Sequence, residues 1–186
     1  SYRSDFYKYR GRLPVESLQA VLDAIPRVSA LSKVKYSSID RELRAASLKS
    51  ALRALENAGV LSRVMATPAN GIPLSAGVKE EFFKILPLDI GLFVSQTFGG
   101  PSSARPWVDL FQKWTQGNLF EQRWLGQVAE IFVGQSLRHE FDPGMALYYW
   151  FRESKGAEAE IDFLFQTGAR VIPIEVKAGA SGTLRS

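Results

Sequence analysis

Glu160-Ile161-Asp162-Phe163 and Pro173-Ile174-Glu175-Val176-Lys177 are the two stretches whose reading decides the fold. Both are apolar runs interrupted by charge, and both read as β-strands whose alternate side chains share one face. Glu175 and Lys177 stand two apart, so they project from the same side of their strand. Twelve residues separate Asp162 from Glu175, and a hairpin between the runs brings Asp162 beside the pair. Two carboxylates and an ammonium converging on one spot is costly unless something binds there. A divalent cation, Mg2+ or Mn2+, is the simplest occupant, because one or two carboxylates with phosphate oxygens and water suffice to hold it.

Asp-x12-Glu-x-Lys on adjacent strands resembles the core of the PD-(D/E)xK, or restriction-endonuclease-like, nucleases. The wording "AEAEIDFLFQTGARVIPIEVKAGA" resembles, more narrowly, a C-terminal domain of unknown function carried by prokaryotic AAA-type ATPases. The upstream phrases "KVKYSSIDRELRAASLKSALRALENAGVL" and "FFKILPLDIGLF" are similar to the middle region of the same group. The nuclease resemblance implies that Asp162 and Glu175 hold the metal. It implies that Lys177 orients or deprotonates the attacking water, or stabilises charge on the phosphate. Glu130, in "GQVAEIFVGQSL", fits a helix carboxylate that often joins such sites as a further ligand. The competing reading of Asp162, Glu175 and Lys177 is a surface ion-pair cluster worth roughly 0–1 kcal/mol. Glu130 could equally pair with Arg123 or Arg138 on its own helix.

Length and composition fit a globular protein of one or two domains: 186 residues, 46% hydrophobic and 23% charged. There is no cysteine, hence no disulfide framework or thiolate metal site, which suits a cytoplasmic setting. The single histidine, His139, excludes histidine-rich metal sites and suits a helix C-terminus. No apolar run reaches the roughly 18 residues of a membrane span, so no membrane partner is expected. No Gly-x4-Gly-Lys-Ser/Thr phosphate loop occurs. The family resemblance therefore places the ATPase domain, and any ATP, upstream of residue 1, as a partner of this piece.

Charge is uneven along the chain. Between Arg27 and Arg63 eight basic residues face three acidic ones, an excess of five against four for the whole chain. In this half, Pro14 to Ile25 reads as a helix ended by Pro26, and a second helix runs from Ser38 to Ala45. A third starts near Ser47, with Leu48, Leu52 and Leu55 as its apolar stripe and Gly59 closing it. Strands at "GVLSRVM" and "EEFFKILPLD" follow, which is the order of a winged helix. Lys49 and Arg53 share a face of the third helix, while Arg41 and Arg44 belong to the second. All four are candidate nucleic-acid contacts through phosphate.

A helix from Ile90, a loop "GGPSSARP", a short helix from Trp107 to Trp114 and a longer one from Leu119 to Leu137 come next. The aromatic strand "ALYYWFRES", the turn "KGAEA" and the two motif strands complete the chain. The expected fold class is therefore α/β (α+β). A winged-helix-like module at 1–100 precedes a truncated restriction-endonuclease-like core at 101–186. Two functions follow. One is metal-dependent phosphodiester hydrolysis in nucleic-acid handling, and the other is a catalytically silent DNA- or protein-binding module that regulates the ATPase.

Overall fold

The computed structural model describes residues 15–29, 33–97, 119–141, 145–154 and 157–178. The expected loop at 99–106, the helix at 107–114 and the boundary near residue 100 lie outside them, as do both ends of the chain. The fold is α+β, as its residue patterns imply. Helices α1 (Val15–Val28), α2 (Tyr36–Ile39) and α3 (Ala45–Asn57) precede strands β1 (Leu61–Ala66) and β2 (Lys79–Pro87). Helices α4 (Ile90–Thr97) and α5 (Leu119–Glu140) follow, and then strands β3 (Tyr148–Ser154), β4 (Ala157–Thr167) and β5 (Arg170–Ile174). No helix among the described residues is long and apolar enough to cross a membrane.

Two helices differ from expectation, each for a local reason, and the last two strands are shifted in bounds: β4 already begins at Ala157, within the expected turn, and β5 ends at Ile174, before Glu175 and Lys177. Pro26 lies inside α1 rather than ending it, because proline in the last turn forfeits only one ladder bond while buried Ile25 and Val28 hold that turn in place. The expected helix from Ser38 to Ala45 is replaced by the single turn of α2 and a bend. Asp40 Oδ1 accepts the N–H groups of Glu42 (2.8 Å) and Leu43 (2.9 Å), diverting the backbone from a helical ladder. Arg41 therefore sits in the bend and Arg44 at the N-cap of α3, not on a preceding helix.

The end of α3 follows its residues closely. Gly59 takes φ +69°, Gly59 N–H bonds Glu56 O and Val60 N–H bonds Leu55 O, a Schellman motif that only a glycine enters without strain. Leu48, Leu52 and Leu55 are buried in one core with Leu18, Val21 and Leu22 of α1 and with Phe83 and Ile85 of β2. A second core, of Val64, Leu86, Leu147, Tyr149 and Phe163, lies between the sheet and α5.

The strands form one sheet in the order β2-β1-β3-β4-β5, so it runs across both halves of the chain. β1 and β2 pair as the expected hairpin, yet β1 is an inner strand that also pairs in parallel with β3 at Met65–Tyr148 and Ala66–Tyr149. β3, β4 and β5 are antiparallel neighbours. Helix α5 lies against the sheet through Val133 and Leu137, and Phe141 just past its end packs there too. Gly134 lets it approach: a Cβ there would stand 2.8 Å from both Leu86 Cδ1 and Phe163 Cζ. Gly134→Ala should lower stability by about 1–3 kcal/mol through overpacking. Gly126→Ala on the same helix, where nothing lies within 4 Å, should be neutral or slightly stabilising. Thermal unfolding of both variants checks this, and equal effects would contradict the close approach.

Candidate functional site

A β-bulge builds the site. Trp150 pairs with Ile161 and Tyr148 with Leu164, which leaves Tyr149 alone opposite both Asp162 and Phe163. A bulge of this kind re-aims side chains and breaks the strict alternation of a strand. Glu160 and Asp162 share one face by ordinary spacing, and Phe163 joins that face through the bulge. Asp162 and Phe163 therefore do not take the opposite faces that alternation implies.

From the other side, Glu130 projects from the stripe of α5 that also carries Gly134 and Leu137. Carboxylate oxygens of Glu130, Glu160 and Asp162 all lie within 4.8 Å of one another. Among them stands a lysine from the far strand of the sheet. Lys84 Nζ is 2.6 Å from Glu130 Oε1, 2.6 Å from Glu160 Oε1 and 3.6 Å from Asp162 Oδ1. Its side chain is only 4% exposed, and its ammonium lies over the Tyr149 ring at 5.1 Å and the Phe163 ring at 5.8 Å.

Asp162 faces two ways. Its Oδ1 belongs to the Lys84 group, and its Oδ2 accepts the Val176 N–H at 2.8 Å. That bond fixes the segment just past β5 so that Glu175 and Lys177 flank the anchoring residue. Their side chains pair with each other, and both residues are exposed. Of the expected catalytic residues, the structure therefore joins Glu130 and Asp162 directly. Glu175 and Lys177 stand as a neighbouring pair outside the three-carboxylate group. Glu130 pairs with Lys84 rather than with Arg138 of its own helix, and the Arg123 side chain lies outside the described residues.

Burial and charge set the protonation of the group. Burial by itself lowers the Lys84 pKa, but Glu130 and Glu160 outweigh it and hold the value above that of an ordinary lysine. Desolvation raises the Glu130 carboxyl, with Lys84 opposing. The Tyr149 phenol is pushed up by burial and by the Glu160 charge. Its hydroxyl is buried without a hydrogen-bond partner among the described residues. Lys177 is raised chiefly by its hydrogen bond to Glu175.

Sequence reading missed Lys84 and Glu160. Both carried a signal: Glu160 is two residues from Asp162, and Lys84 is a lone cation within the apolar run "FFKILP". Alternation links the first to Asp162, whereas only the order of strands could link the second.

On the basic side, much of the charge is internally engaged. Arg27 donates to the Ser38 and Ile39 carbonyls at the end of α2, and Arg63 forms a two-point pair with Glu56 at 2.7 and 2.9 Å. Lys49 pairs with Glu80, whose carboxyl is lowered first by that bond. Arg41, Arg44 and Arg53 are exposed. Elsewhere, Lys35 Nζ lies 5.0 Å from the Phe82 ring and Lys79 Nζ 5.8 Å from the Phe151 ring, on the sheet face beside the carboxylates.

Residues 1–102 match a family model described as Domain of unknown function (DUF8612). The chain belongs to the DUF8612 family. Residues 125–186 match a second model, Domain of unknown function (DUF4143). No curated protein and no solved structure matches the chain. Lys84 thus comes from the DUF8612 segment, while Glu130, Glu160 and Asp162 come from the DUF4143 segment.

The raised Lys84 pKa carries a sign. A lysine held above its unfolded value stabilises fully below that value, about 10.4, and the gain is lost as pH rises through the folded pKa. Urea unfolding of the intact chain should therefore show stability falling above about pH 10. In Lys84→Met that fall should be shallower, with lower stability at neutral pH. Parallel curves for the two proteins would contradict an ionised, paired Lys84.

Proposed function

We propose that this chain is a nucleic-acid-handling module with a metal-dependent phosphodiester-cleaving site, working alongside an AAA-type ATPase. The observation that carries this reading is the placement of Asp162, which joins the Glu130–Glu160 carboxylates on one side and the Glu175–Lys177 segment on the other. The nuclease resemblance names four of these residues, and a restriction-endonuclease-like order of helix and strands supports it. DUF4143 domains are commonly found at the C-termini of AAA ATPases, which supports the ATPase partner and a cytoplasmic setting.

The donor set fits a hard cation. Three carboxylates offer only oxygen, with no thiolate or imidazole among the group, which favours Mg2+ or Mn2+ over zinc. Glu130, Glu160 and Asp162 would hold it, with Glu175 adjoining. Once bound, such a cation polarises a phosphodiester and makes water a better nucleophile at neutral pH. In the hydrolysis, a water oxygen bonds to phosphorus, one P–O ester bond breaks, and the leaving oxygen takes up a proton. Lys177, held above the usual lysine range by Glu175, is a cation at neutral pH. It therefore suits charge stabilisation on the phosphate rather than proton abstraction. Arg53 on α3, with Arg44 at its N-cap and Arg41 in the bend before it, would grip phosphates of a duplex, with Lys49 steadied by Glu80.

A second reading has its own support. The Lys84 ammonium already neutralises part of the carboxylate group, as in a silent module that binds DNA or protein and regulates the ATPase. One experiment separates the two. Duplex DNA is incubated with the intact chain and Mn2+, and binding and nicking are read together. Active protein should lose nicking in Asp162→Asn while keeping binding. Lys49→Glu/Arg53→Glu should weaken binding and flatten its salt dependence, the log–log slope falling by about one for each phosphate no longer held. Binding without nicking in every protein would favour the silent module, and neither would remove both nucleic-acid roles.

A further inference from the structure

Lys84 is the one member of the site that comes from outside the DUF4143 segment, and it occupies the place that a cation would take. Its ammonium is 2.6 Å from two carboxylates and 3.6 Å from a third, with its side chain almost wholly buried. Three carboxylates around one ammonium leave an excess of negative charge when all are ionised, so the group is under-compensated as it stands. A second feature marks the site as one that can take a further ligand. The fully buried Tyr149 ring lies under the Lys84 ammonium, and its hydroxyl has no hydrogen-bond partner among the described residues.

Building on the metal-dependent reading above, we propose that Lys84 is the resident cation of the carboxylate site and that a divalent metal enters in exchange for its ammonium. The two cannot share the space. An ammonium 2.6 Å from Glu130 and Glu160 stands about where an ion at about 2.0–2.1 Å from its ligands would have to sit, and two close cations repel. Lys84 therefore compensates part of the charge of these half-buried carboxylates while no metal is bound. When metal arrives, the lysine stem must withdraw along β2 toward Phe82, on whose side Lys35 and Lys79 already lie. The released ammonium would then add to the positive charge beside the site, where an anionic phosphodiester would approach. In this way the DUF8612 segment controls whether the DUF4143 carboxylates are open to metal.

The test uses the intact chain and Mn2+ alone, with no nucleic acid. Calorimetric titration should show Lys84→Met binding Mn2+ at least about tenfold more tightly than the unaltered protein, because the competing charge is gone. Amine-reactive labelling followed by peptide mass mapping provides an independent readout that does not depend on how well that variant folds. In the unaltered protein, Lys84 should be protected without Mn2+ and become labelled at saturating Mn2+. Lys84→Met binding no more tightly than the unaltered protein, Lys84 remaining protected while Mn2+ binds, or no Mn2+ binding by either protein would overturn the exchange. Binding with Lys84 still protected would leave a metal-dependent nuclease possible. Exchange here together with no nicking in the duplex assay above would sink the nuclease reading and leave the exchange standing.

Discussion

The rest of the structure hangs on the ion group formed by Lys84 with Glu130, Glu160 and Asp162. Burying an ammonium without partners costs several kcal/mol, and removing one side of a buried pair typically costs about 3–5 kcal/mol. That cost dictates where three elements sit. β2 must deliver Lys84, α5 must lie close enough to present Glu130, and β4 must turn both of its carboxylates inward. Gly134 meets the second demand by removing a side chain, and the two-residue spacing of Glu160 and Asp162 meets the third, with the bulge adding Phe163 to the same face. Apolar burial then surrounds the group with Val64, Leu86, Tyr149 and Phe163. A buried ion group is better evidence for one specific arrangement, or for function, than for stability as such.

Much of this was legible in the residues, and what was not has a physical cause. Helical spacing and Gly59 disclosed the stripe of α3 and its end, because both depend on local geometry. Period-two alternation located the strands, but β5 ends at Ile174, so Glu175 and Lys177 pair in the segment beyond it and not on a strand face. Alternation also failed at the step from Asp162 to Phe163, since a bulge is set by pairing with β3 and not by the strand's own residues. The bend after α2 escaped because Asp40 bonds two backbone amides instead of continuing a helix. Lys84 escaped because its partners lie 46, 76 and 78 positions away in the chain, and only the strand order brings them together. Lone charges inside apolar strands were the readable trace of that contact.

The sheet also bears on how the two family segments relate. β1 of the DUF8612 segment pairs with β3 of the DUF4143 segment, and Lys84 crosses the same divide as a charge. The two family matches, residues 1–102 and 125–186, divide the sequence, but the ion group draws on both. Its acidic members alone would be a surplus of half-buried negative charge. The basic residues of the first half divide in a similar way: Arg27 and Arg63 bond within the fold, while Arg41, Arg44 and Arg53 are exposed.

Lys84 and the β4 carboxylates should be energetically coupled across the sheet, since everything above depends on their contact. A double-mutant cycle measures this directly, with Lys84→Met, Glu160→Gln and the double variant compared by urea unfolding at neutral pH. Contacting partners in a buried ion group should show a coupling energy of about 0.5–3 kcal/mol, with the double variant more stable than the sum of the single effects implies. Additive effects, to within about 0.3–0.5 kcal/mol, would mean that the two residues do not form the interaction on which the fold and its site rest.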